Sequence, residues 1–365
     1  MGNRSVIVTG SSGFLGAAIC ADLSRDHHVY GIDRREPSQA LRAAAPGVRW
    51  VTVDISDRNR VDTFFNTIED RYRPVDFVLH MAAFYHFGQY WQPEDERTNV
   101  QGLRNILDGA RRLGTRRFIF AGSIASLPSP APGQALTEAS QPIASLAYPR
   151  AKSLGEKMLA QYTAAMPTVA LRIAGVFSDW CELPPLFSLM RLWSRPGLLG
   201  RGIPGRGNSG FPYIHRQDLV ACTRQIITRH EQLARGETLF ASPDGCTTHN
   251  ALFPLIRSAV DPRFSSRPVY VPTWAAQWGL FFKNSIKVLF QQKRYERRWM
   301  MAYVDRPLVV DTAYTRKVLE WSPAPEWGIL ERLPVMMKRF QEHRHAWDHR
   351  NIRRNEGNYQ YSERS

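Results

Sequence analysis

The sequence predicts an α/β protein: a doubly wound parallel sheet joined to a smaller carboxyl-terminal subdomain. Short β-branched runs alternate with longer amphipathic segments in the first half of the chain, the pattern of repeated βαβ units. After about Trp180, proline and glycine become frequent and the alternation stops, as in loops that surround a ligand. The length of 365 residues allows for about two domains.

Six short apolar runs are predicted to be strands. They are Ser5 to Thr9, His28 to Ile32, Val48 to Val53, Val75 to His80, Arg117 to Ala121 and Thr168 to Arg172. Between them, apolar residues recur at helical spacing, most clearly in Phe14 to Ser24, Arg58 to Arg71 and Arg97 to Leu113. We expect residues 1–178 to form the sheet domain and residues 179–340 to form the substrate-binding region. Within the second region, the chain could cross back to the sheet. Residues 341–365 are polar and predict a flexible tail.

The composition is that of an ordinary globular protein, with 43% hydrophobic and 22% charged residues, which excludes general disorder. The net charge of +15 favours an acidic partner, an anionic substrate or a negatively charged membrane surface. No nucleic-acid module accompanies the charge, so we expect no nucleic-acid partner. Four separated cysteines predict neither a metal site nor a disulfide framework. With no signal peptide expected at the start and no apolar run of about 20 residues, we expect a cytoplasmic protein.

The first predicted strand runs into a glycine-rich turn and then a helix. The turn Thr9-Gly10-Ser11-Ser12-Gly13-Phe14-Leu15-Gly16 has the pattern T-G-x-x-G-x-x-G. Glycines permit a tight turn and close approach of the backbone to a pyrophosphate, and the helix amino terminus supplies N–H groups and a positive dipole end. We therefore expect a dinucleotide to be bound by Gly10, Ser12, Gly13, Phe14, Leu15 and Gly16.

Acidic residues after the second and third strands indicate the rest of the cofactor site. Asp33 ends the second strand, where a carboxylate accepts hydrogen bonds from an adenosine ribose and repels a 2′-phosphate. Arg34 beside it is able to neutralise a 2′-phosphate, so we expect NAD, with NADP possible. Asp54 and Ile55 are expected at the adenine edge; alternatively, Asp54 caps the helix that follows.

A tyrosine and a lysine are spaced for catalysis. Tyr148 and Lys152 fall on one face of a helix, one turn apart, and Pro149 predicts that this helix begins at the tyrosine. An ammonium so placed is expected to lower the pKa of the phenol, which could then exchange a proton with a substrate hydroxyl. Ser123 follows the fifth strand, where its hydroxyl could orient the same substrate oxygen.

With these motifs in order, the chain resembles an extended short-chain dehydrogenase/reductase of the NAD-dependent epimerase/dehydratase group, a Rossmann fold. The motifs that carry the resemblance over about residues 5 to 330 are the glycine turn, His80-Met81-Ala82-Ala83, Asn99-Val100-Gln101-Gly102, Ser123, Tyr148 with Lys152, Leu171-Arg172, and Tyr213-Ile214-His215-Arg216-Gln217-Asp218. The resemblance implies that Tyr148 is the general acid/base, that Lys152 tunes it and anchors the nicotinamide ribose, and that Ser123 contacts the substrate oxygen. It places His80, Ala82 and Ala83 along the cofactor and Asn99 at the family's helix asparagine; alternatively, Asn99 is a helix-surface amide.

Departures from the family pattern favour one branch. No carboxylate follows Ser123, which argues against sugar dehydration. Gly175 stands where nucleotide-sugar epimerases usually have an asparagine, and Phe211 closes the segment where they have an arginine, although Arg206 could substitute. The chain looks more like the 3β-hydroxysteroid dehydrogenase branch. We expect NAD(P)-dependent hydride transfer between nicotinamide and a secondary alcohol or ketone of a steroid- or lipid-like substrate. The alternatives are a nucleotide-sugar epimerase and a non-catalytic NAD-binding protein.

Two aromatic segments bear on the substrate and on partners. The loop Phe84 to Trp91 follows the fourth strand, and either Tyr85 lines an apolar pocket or the loop packs on the neighbouring domain. His86 is either a second acid/base or structural. Residues Trp274 to Met301 combine apolar and basic residues, as in a helix lying on an anionic membrane or one packed against the substrate domain. A homodimer is the family's frequent state.

Overall fold

In a computed structural model, residues 3–71, 75–86, 88–261, 267–275 and 298–353 are described. The strands of the central sheet are β1 (Ser5–Thr9), β2 (His28–Asp33), β3 (Val48–Thr52), β4 (Phe77–His80), β5 (Arg117–Ser123), β6 (Thr168–Ile173) and β11 (Gly236–Ala241). They lie in the order β11-β6-β5-β4-β1-β2-β3, and all their pairings are parallel. The chain winds outwards in both directions from β1 and β4, so the predicted doubly wound sheet is confirmed.

Both faces of the sheet are covered, because successive side chains of a strand point to opposite faces. In β1, Val6 and Val8 join one apolar core, and Ile7 between them joins the other. In β5, Ile119 and Phe120 separate in the same way. Strands buried on both faces read as continuous apolar runs, which is why most of them were recognisable in the sequence.

Helices follow the strands as predicted. They are α1 (Phe14–Leu23), α2 (Gln39–Ala44), α3 (Arg58–Arg71), α4 (Leu103–Arg112), α5 (Ala147–Tyr162), α6 (Pro184–Trp193), α7 (Arg216–Thr228), α8 (His249–Val260), α9 (Ala313–Leu319), α10 (Ile329–Glu342) and α11 (Arg344–Asp348). A π-helical segment, Asp95–Gly102, leads into α4. Among the described residues, no helix is both long and apolar enough to cross a bilayer.

The second half of the chain builds a smaller unit at the carboxyl ends of the sheet strands. Its strand pairs are β7 (Gly175–Phe177) with β10 (Tyr213–His215), β8 (Gly202–Pro204) with β13 (Val269–Val271), and β9 (Gly210–Phe211) with β12 (Thr247–Thr248). A third apolar core, which includes Trp193, Phe253 and Met336, holds this unit together. The chain also crosses back: β11 pairs with β6 as the seventh strand of the sheet.

The carboxyl-terminal segment differs from the prediction. Residues 344–353 are helical, and Trp347 is fully buried in the third core. The expectation of a flexible tail is therefore wrong for residues 341–353, because one indole buries enough apolar surface to dock a polar segment. Residues 354–365, and most of the predicted amphipathic segment Trp274 to Met301, lie outside the described residues.

Candidate active site

The glycine turn after β1 lies against the turn after β4. Gly10 has a φ of +67°, and a Cβ there would lie 2.8 Å from the backbone N and Cα of Ala82. A Cβ on Gly16 would lie 2.2 Å from the carbonyl oxygen of Gly10. Helix α1 then begins at Phe14, and within the described chain no side chain caps its amino terminus at Gly13. The turn therefore offers main-chain N–H groups and a helix dipole to an anionic diphosphate.

Asp33 stands beside this turn at the end of β2. Its carboxylate accepts hydrogen bonds from the main-chain N–H groups of Ser12 (3.0 Å) and Arg35 (3.0 Å), and the residue is buried. The guanidinium of Arg34 lies 3.5 Å from the Glu94 carboxylate. The carboxylate is thus held beside the glycine turn, and the nearby arginine already faces an acid, an arrangement that suits NAD.

Asp54 makes local contacts. It accepts hydrogen bonds from the main-chain N–H (3.0 Å) and the hydroxyl (2.7 Å) of Ser56, and lies 3.0 Å from an Arg97 nitrogen. The carboxylate therefore shapes the loop ahead of α3, but it does not cap that helix: Asp57 does so, by accepting the main-chain N–H of Arg60 at 3.1 Å. Ile55 is buried under Gly102, where a Cβ would lie 2.8 Å from its side chain.

His80 ties the turn after β4 to β1. Its Nδ1 lies 3.2 Å from the hydroxyl oxygen of Thr9, which also accepts the main-chain N–H of Ala82 at 3.0 Å. Burial, aided by the positive charge of Lys152, lowers the pKa of His80 to about 3, so the ring is neutral. This bond pair holds Ala82, and with it Ala83, beside the glycine turn.

The structure brings Ser123, Tyr148 and Lys152 together at the carboxyl end of β5. Ser123 ends that strand, and Tyr148 and Lys152 lie on the first turns of α5. The hydroxyls of Tyr148 and Ser123 share a hydrogen bond. The Lys152 ammonium donates to the Ala121 carbonyl at 2.7 Å and lies 5.7 Å from the centre of the Tyr148 ring. The spacing in sequence thus corresponds to a cluster in space.

The electrostatics of this cluster correct one expectation. Burial raises the pKa of Tyr148, with the Ser123 hydrogen bond acting against it, whereas we expected Lys152 to lower this pKa. The physical reason is that the ammonium points at the Ala121 carbonyl rather than at the phenol oxygen. Burial also lowers the pKa of Lys152 to about 8, partly offset by the negative charge of Glu156. Tyr148 therefore keeps its proton at neutral pH.

The aromatic loop after β4 packs on the start of α5. The ring of Tyr85 meets the ring of Tyr148 edge to face, with centroids 4.5 Å apart. The guanidinium of Arg150 lies 5.0 Å from the centre of the Trp91 ring. Tyr85 is half-buried, so part of its surface is exposed to solvent. The structure thus places one predicted substrate residue, Tyr85, beside the cluster of Ser123, Tyr148 and Lys152.

His86 and Asn99 both face inwards. His86 is buried: Nε2 lies 2.8 Å from an Asp95 oxygen, and Nδ1 accepts the Gly88 N–H at 3.0 Å. Both ring nitrogens are engaged, which favours the structural alternative over a second acid/base. Asn99 accepts the N–H of Phe84 (2.8 Å) and donates to its carbonyl (2.9 Å). It is a buried clamp on the loop rather than a helix-surface amide.

Apolar groups surround Gly175, just beyond β6. A Cβ there would lie 3.0 Å from the Phe211 ring and 3.1 Å from the Leu183 side chain. Arg206 is exposed and does not join this group. Its main-chain N–H donates to both oxygens of Asp305 (2.9 and 2.7 Å), as does that of Asn208 to one of them (3.0 Å). The loop thus forms a concave set of N–H groups of the kind that binds anions, and a carboxylate of the chain itself fills it.

Sequence reasoning missed Asp95 and Asp305. Asp305 lies 99 and 97 positions along the chain from Arg206 and Asn208, whose N–H groups it accepts, whereas the partners of Asp95 lie within nine positions but follow no recognised motif. Each is also one acidic residue among 33. The Gly205-Arg206-Gly207 run, with positive φ at both glycines, was the only local signal of an N–H concavity near Asp305.

A doubly wound sheet with a glycine turn, a ribose-side carboxylate and a Ser/Tyr/Lys cluster at one edge defines a nicotinamide-dependent enzyme of the short-chain dehydrogenase/reductase class. More specifically, the chain belongs to the NAD dependent epimerase/dehydratase family, whose model matches residues 6–240. This confirms the resemblance, the Rossmann fold and NAD as the cofactor.

Individual relatives are more distant. The chain is 26% identical over 274 residues to short-chain dehydrogenase/reductase family 42E member 1 of Bos taurus, covering 68% of this chain and 65% of that protein. It is 25% identical over 273 residues to sterol demethylase protein B of Methylococcus capsulatus, covering 71% and 78%. Among solved structures, the UDP-glucose 4-epimerase of Thermotoga maritima with UDP-glucose superposes with a TM-score of 0.67 at 17% identity, covering 93% of this chain and 99% of that one. That last likeness shows the fold alone.

Proposed function

We propose that this protein is an NAD(P)-dependent oxidoreductase that transfers hydride between the nicotinamide and a secondary alcohol or ketone on an apolar, steroid- or lipid-like substrate. The observation that carries the proposal is the cluster of Ser123, Tyr148 and Lys152 at the carboxyl end of β5. In a doubly wound sheet, ligands bind at that end of the strands.

The residues present fit NAD. A Cβ on Gly10 or Gly16 would clash with neighbouring main-chain atoms, so only glycine fits at these positions. The turn therefore presents main chain without side chains there, as close approach to a pyrophosphate requires. We assign Ser12, Gly13, Phe14 and Leu15 to the same turn, Asp33 to the adenosine ribose with Arg34 beside it, and Asp54 with Ile55 to the adenine edge. His80, Ala82, Ala83 and Asn99 support the cofactor side of the cleft. When bound, the nicotinamide supplies the hydride acceptor or donor.

The chain's own residues move the proton. Ser123 orients the substrate oxygen through its hydroxyl, and Tyr148 exchanges a proton with that oxygen. A phenol whose pKa is raised by burial is protonated at neutral pH, the state that reduction of a ketone requires. Lys152 anchors the ribose and places a cation 5.7 Å from the Tyr148 ring. Positioning and proton transfer form most of the protein's contribution.

Three observations support an apolar substrate. Phe211 and Leu183 close on Gly175, so the position offers no polar group to a sugar diphosphate. Asp305 occupies the N–H concavity near Arg206, where its charge repels a phosphate. Tyr85 adds an aromatic surface next to Tyr148. A curated relative is named a sterol demethylase, which agrees with this substrate class.

The proposal is tested by turnover. Purified protein is mixed with NAD and a series of secondary alcohols from cyclohexanol to a 3β-hydroxysterol, or with NADH and the matching ketones, and absorbance of the reduced nicotinamide is followed. We expect turnover that grows with the apolar skeleton and is lost in Tyr148→Phe. Full activity in Tyr148→Phe would refute the mechanism in which Tyr148 exchanges the proton.

Two alternatives give different outcomes in the same assay. A nucleotide-sugar epimerase would interconvert UDP-sugars without net formation of NADH, and a sugar nucleotide would co-purify with it. A non-catalytic NAD-binding protein would bind NADH with no turnover on any substrate. The intact Ser/Tyr/Lys cluster argues against the latter, since binding alone does not need these residues together.

We further propose peripheral contact with an anionic membrane. Leu198, Leu199 and Trp274 are each more than 60% exposed, and Arg201 lies between them in sequence. The rest of the amphipathic segment lies outside the described residues. Sedimentation with vesicles of phosphatidylglycerol tests this contact, with phosphatidylcholine vesicles as the control.

We also propose the homodimer that is expected from the family, and analytical ultracentrifugation tests it.

A further inference from the structure

A buried carboxylate, that of Asp95, hydrogen-bonds the loop that places Tyr85 against Tyr148. Asp95, at the start of the π-helical segment, is fully buried. One of its oxygens lies 2.8 Å from Nε2 of His86 and accepts the main-chain N–H of Gln92 at 2.9 Å. The other accepts from Asn99 Nδ2 at 3.2 Å. A single side chain thus joins the helix to both arms of the loop.

The hydrogen bonds define the state of His86. Because Nδ1 accepts the N–H of Gly88, that nitrogen carries no proton, and the proton resides on Nε2. Nε2 therefore donates to the Asp95 carboxylate. The arrangement leaves His86 no lone pair for substrate chemistry, so its contribution is to hold the loop.

Tyr85 lies between two residues that this network fixes. Phe84 donates one hydrogen bond to Asn99 and accepts another from it, and His86 is held by Asp95. The rings of Phe84 and His86 also contact each other, with centroids 5.0 Å apart. Because both neighbours are hydrogen-bonded in place, the main chain at Tyr85 is constrained, and the Tyr85 ring meets the Tyr148 ring at 84°.

We infer that Asp95, through His86, is a positioning residue for the reaction: the pair holds Tyr85 against the Tyr148 ring and so sets the direction of the phenol hydroxyl towards Ser123. The inference rests on the function proposed above, in which Tyr148 exchanges the proton. It adds to the Ser/Tyr/Lys cluster a buried pair that touches neither substrate nor cofactor.

The experiment uses the full-length protein labelled with [ζ-¹³C]tyrosine, and the Tyr148 resonance is assigned by its loss in Tyr148→Phe. The test variants are Asp95→Asn, His86→Phe and His86→Gln. In Asp95→Asn, the side-chain NH₂ must face either the donors His86 and Gln92 or the donor Asn99, so hydrogen bonds are lost on one side. In His86→Phe, both hydrogen bonds of the ring are removed. Glutamine supplies a donor for Asp95 and an acceptor for Gly88. Glu96→Gln is the matched control, because it removes the same charge from the neighbouring exposed position.

We expect Asp95→Asn and His86→Phe to shift or broaden the Tyr148 resonance and to lower kcat about tenfold or more on the best alcohol or ketone of the series. The Kd for NADH is expected to be unchanged, His86→Gln to recover most of the loss, and Glu96→Gln to match the wild type.

A lower melting temperature with an unmoved Tyr148 resonance in both His86→Phe and Asp95→Asn would overturn the inference and leave the pair a purely structural role. If Asp95→Asn does not fold, His86→Phe and Tyr85→Leu decide, since Tyr85 is half-buried and its truncation should move the same resonance. Retained activity in Tyr148→Phe refutes the proposed function instead, and the resonance still shows whether the pair orients the tyrosine.

Discussion

Replacing Gly10 with alanine should separate the cost of a left-handed backbone from that of the close approach between two turns. Gly10 has φ +67°, and a Cβ there would lie 2.8 Å from main-chain atoms of Ala82. Gly114 provides a matched control: its φ is +64°, and nothing lies within 4 Å of a Cβ there. The two variants share the backbone strain and differ in the collision.

The expected magnitudes follow from this difference. Gly114→Ala should lower the free energy of unfolding by about 1–2 kcal/mol, the cost of a left-handed residue with a side chain. Gly10→Ala should lose a further 1–3 kcal/mol, about the cost of overpacking, because the Ala82 backbone has to move. That movement also displaces the N–H groups of the turn, so we expect NADH to bind at least about tenfold more weakly.

Urea unfolding followed by circular dichroism gives the stabilities, and NADH fluorescence titration gives the affinities. Gly114→Ala should bind NADH like the wild type. The reasoning would be refuted if the two variants were equally stable and both retained wild-type affinity, since the turns would then not be in contact.

Three further changes test other parts of the structure. Between pH 8 and 10.5 the stability of the wild type relative to Lys152→Met should rise by up to about 3 kcal/mol. The reason is that the pKa of Lys152 is about 8 in the folded state and 10.5 in the unfolded state, so that in this range the lysine loses its proton only when folded. Denaturant midpoints measured across this range check the prediction, and a stability difference that does not change with pH contradicts it. Trp347→Ala should cost about 3–5 kcal/mol in thermal or urea unfolding, since the indole is fully buried, whereas Leu330→Ala on a side chain that is 40% exposed should change little; equal losses would mean that the last helix does not dock. Asp305→Ala should lower the free energy of unfolding by about 0.5–1.5 kcal/mol, because hydrogen bonds to exposed N–H groups are exchanged for hydrogen bonds to water. Inorganic phosphate should restore part of the melting temperature, while Arg206→Ala, which keeps the main-chain donors, should show neither effect; no phosphate response would contradict an anion-binding loop.

Much of the cofactor half could be predicted because its signals are local. The strand, glycine turn and helix around Gly10 are continuous in sequence, and all the residues of the glycine-turn pattern fall within eight positions. Asp33 follows from the next strand. Tyr148 and Lys152 are recognisable because a helix fixes their relative placement, whatever surrounds it.

Other features could not be predicted, since their meaning depends on distant partners. Gly236–Ala241 contains Gly, Glu and Thr and does not read as a buried run, yet it pairs along the whole of β6. Arg344–Asp348 reads as polar, and only the third core gives Trp347 a place. Local pattern carries no information about what another part of the chain will offer.

The sequence by itself determined the doubly wound sheet and the glycine turn and made Ser123, Tyr148 and Lys152 recognisable as candidates, because periodicity and short motifs act over a few residues. Tertiary structure alone decided that His86 bonds Asp95, that Asp305 fills the loop near Arg206, and that the Lys152 ammonium turns to the Ala121 carbonyl. The physical reason is that hydrogen bonding and pKa depend on burial and on the distances between groups, both of which only the folded arrangement sets.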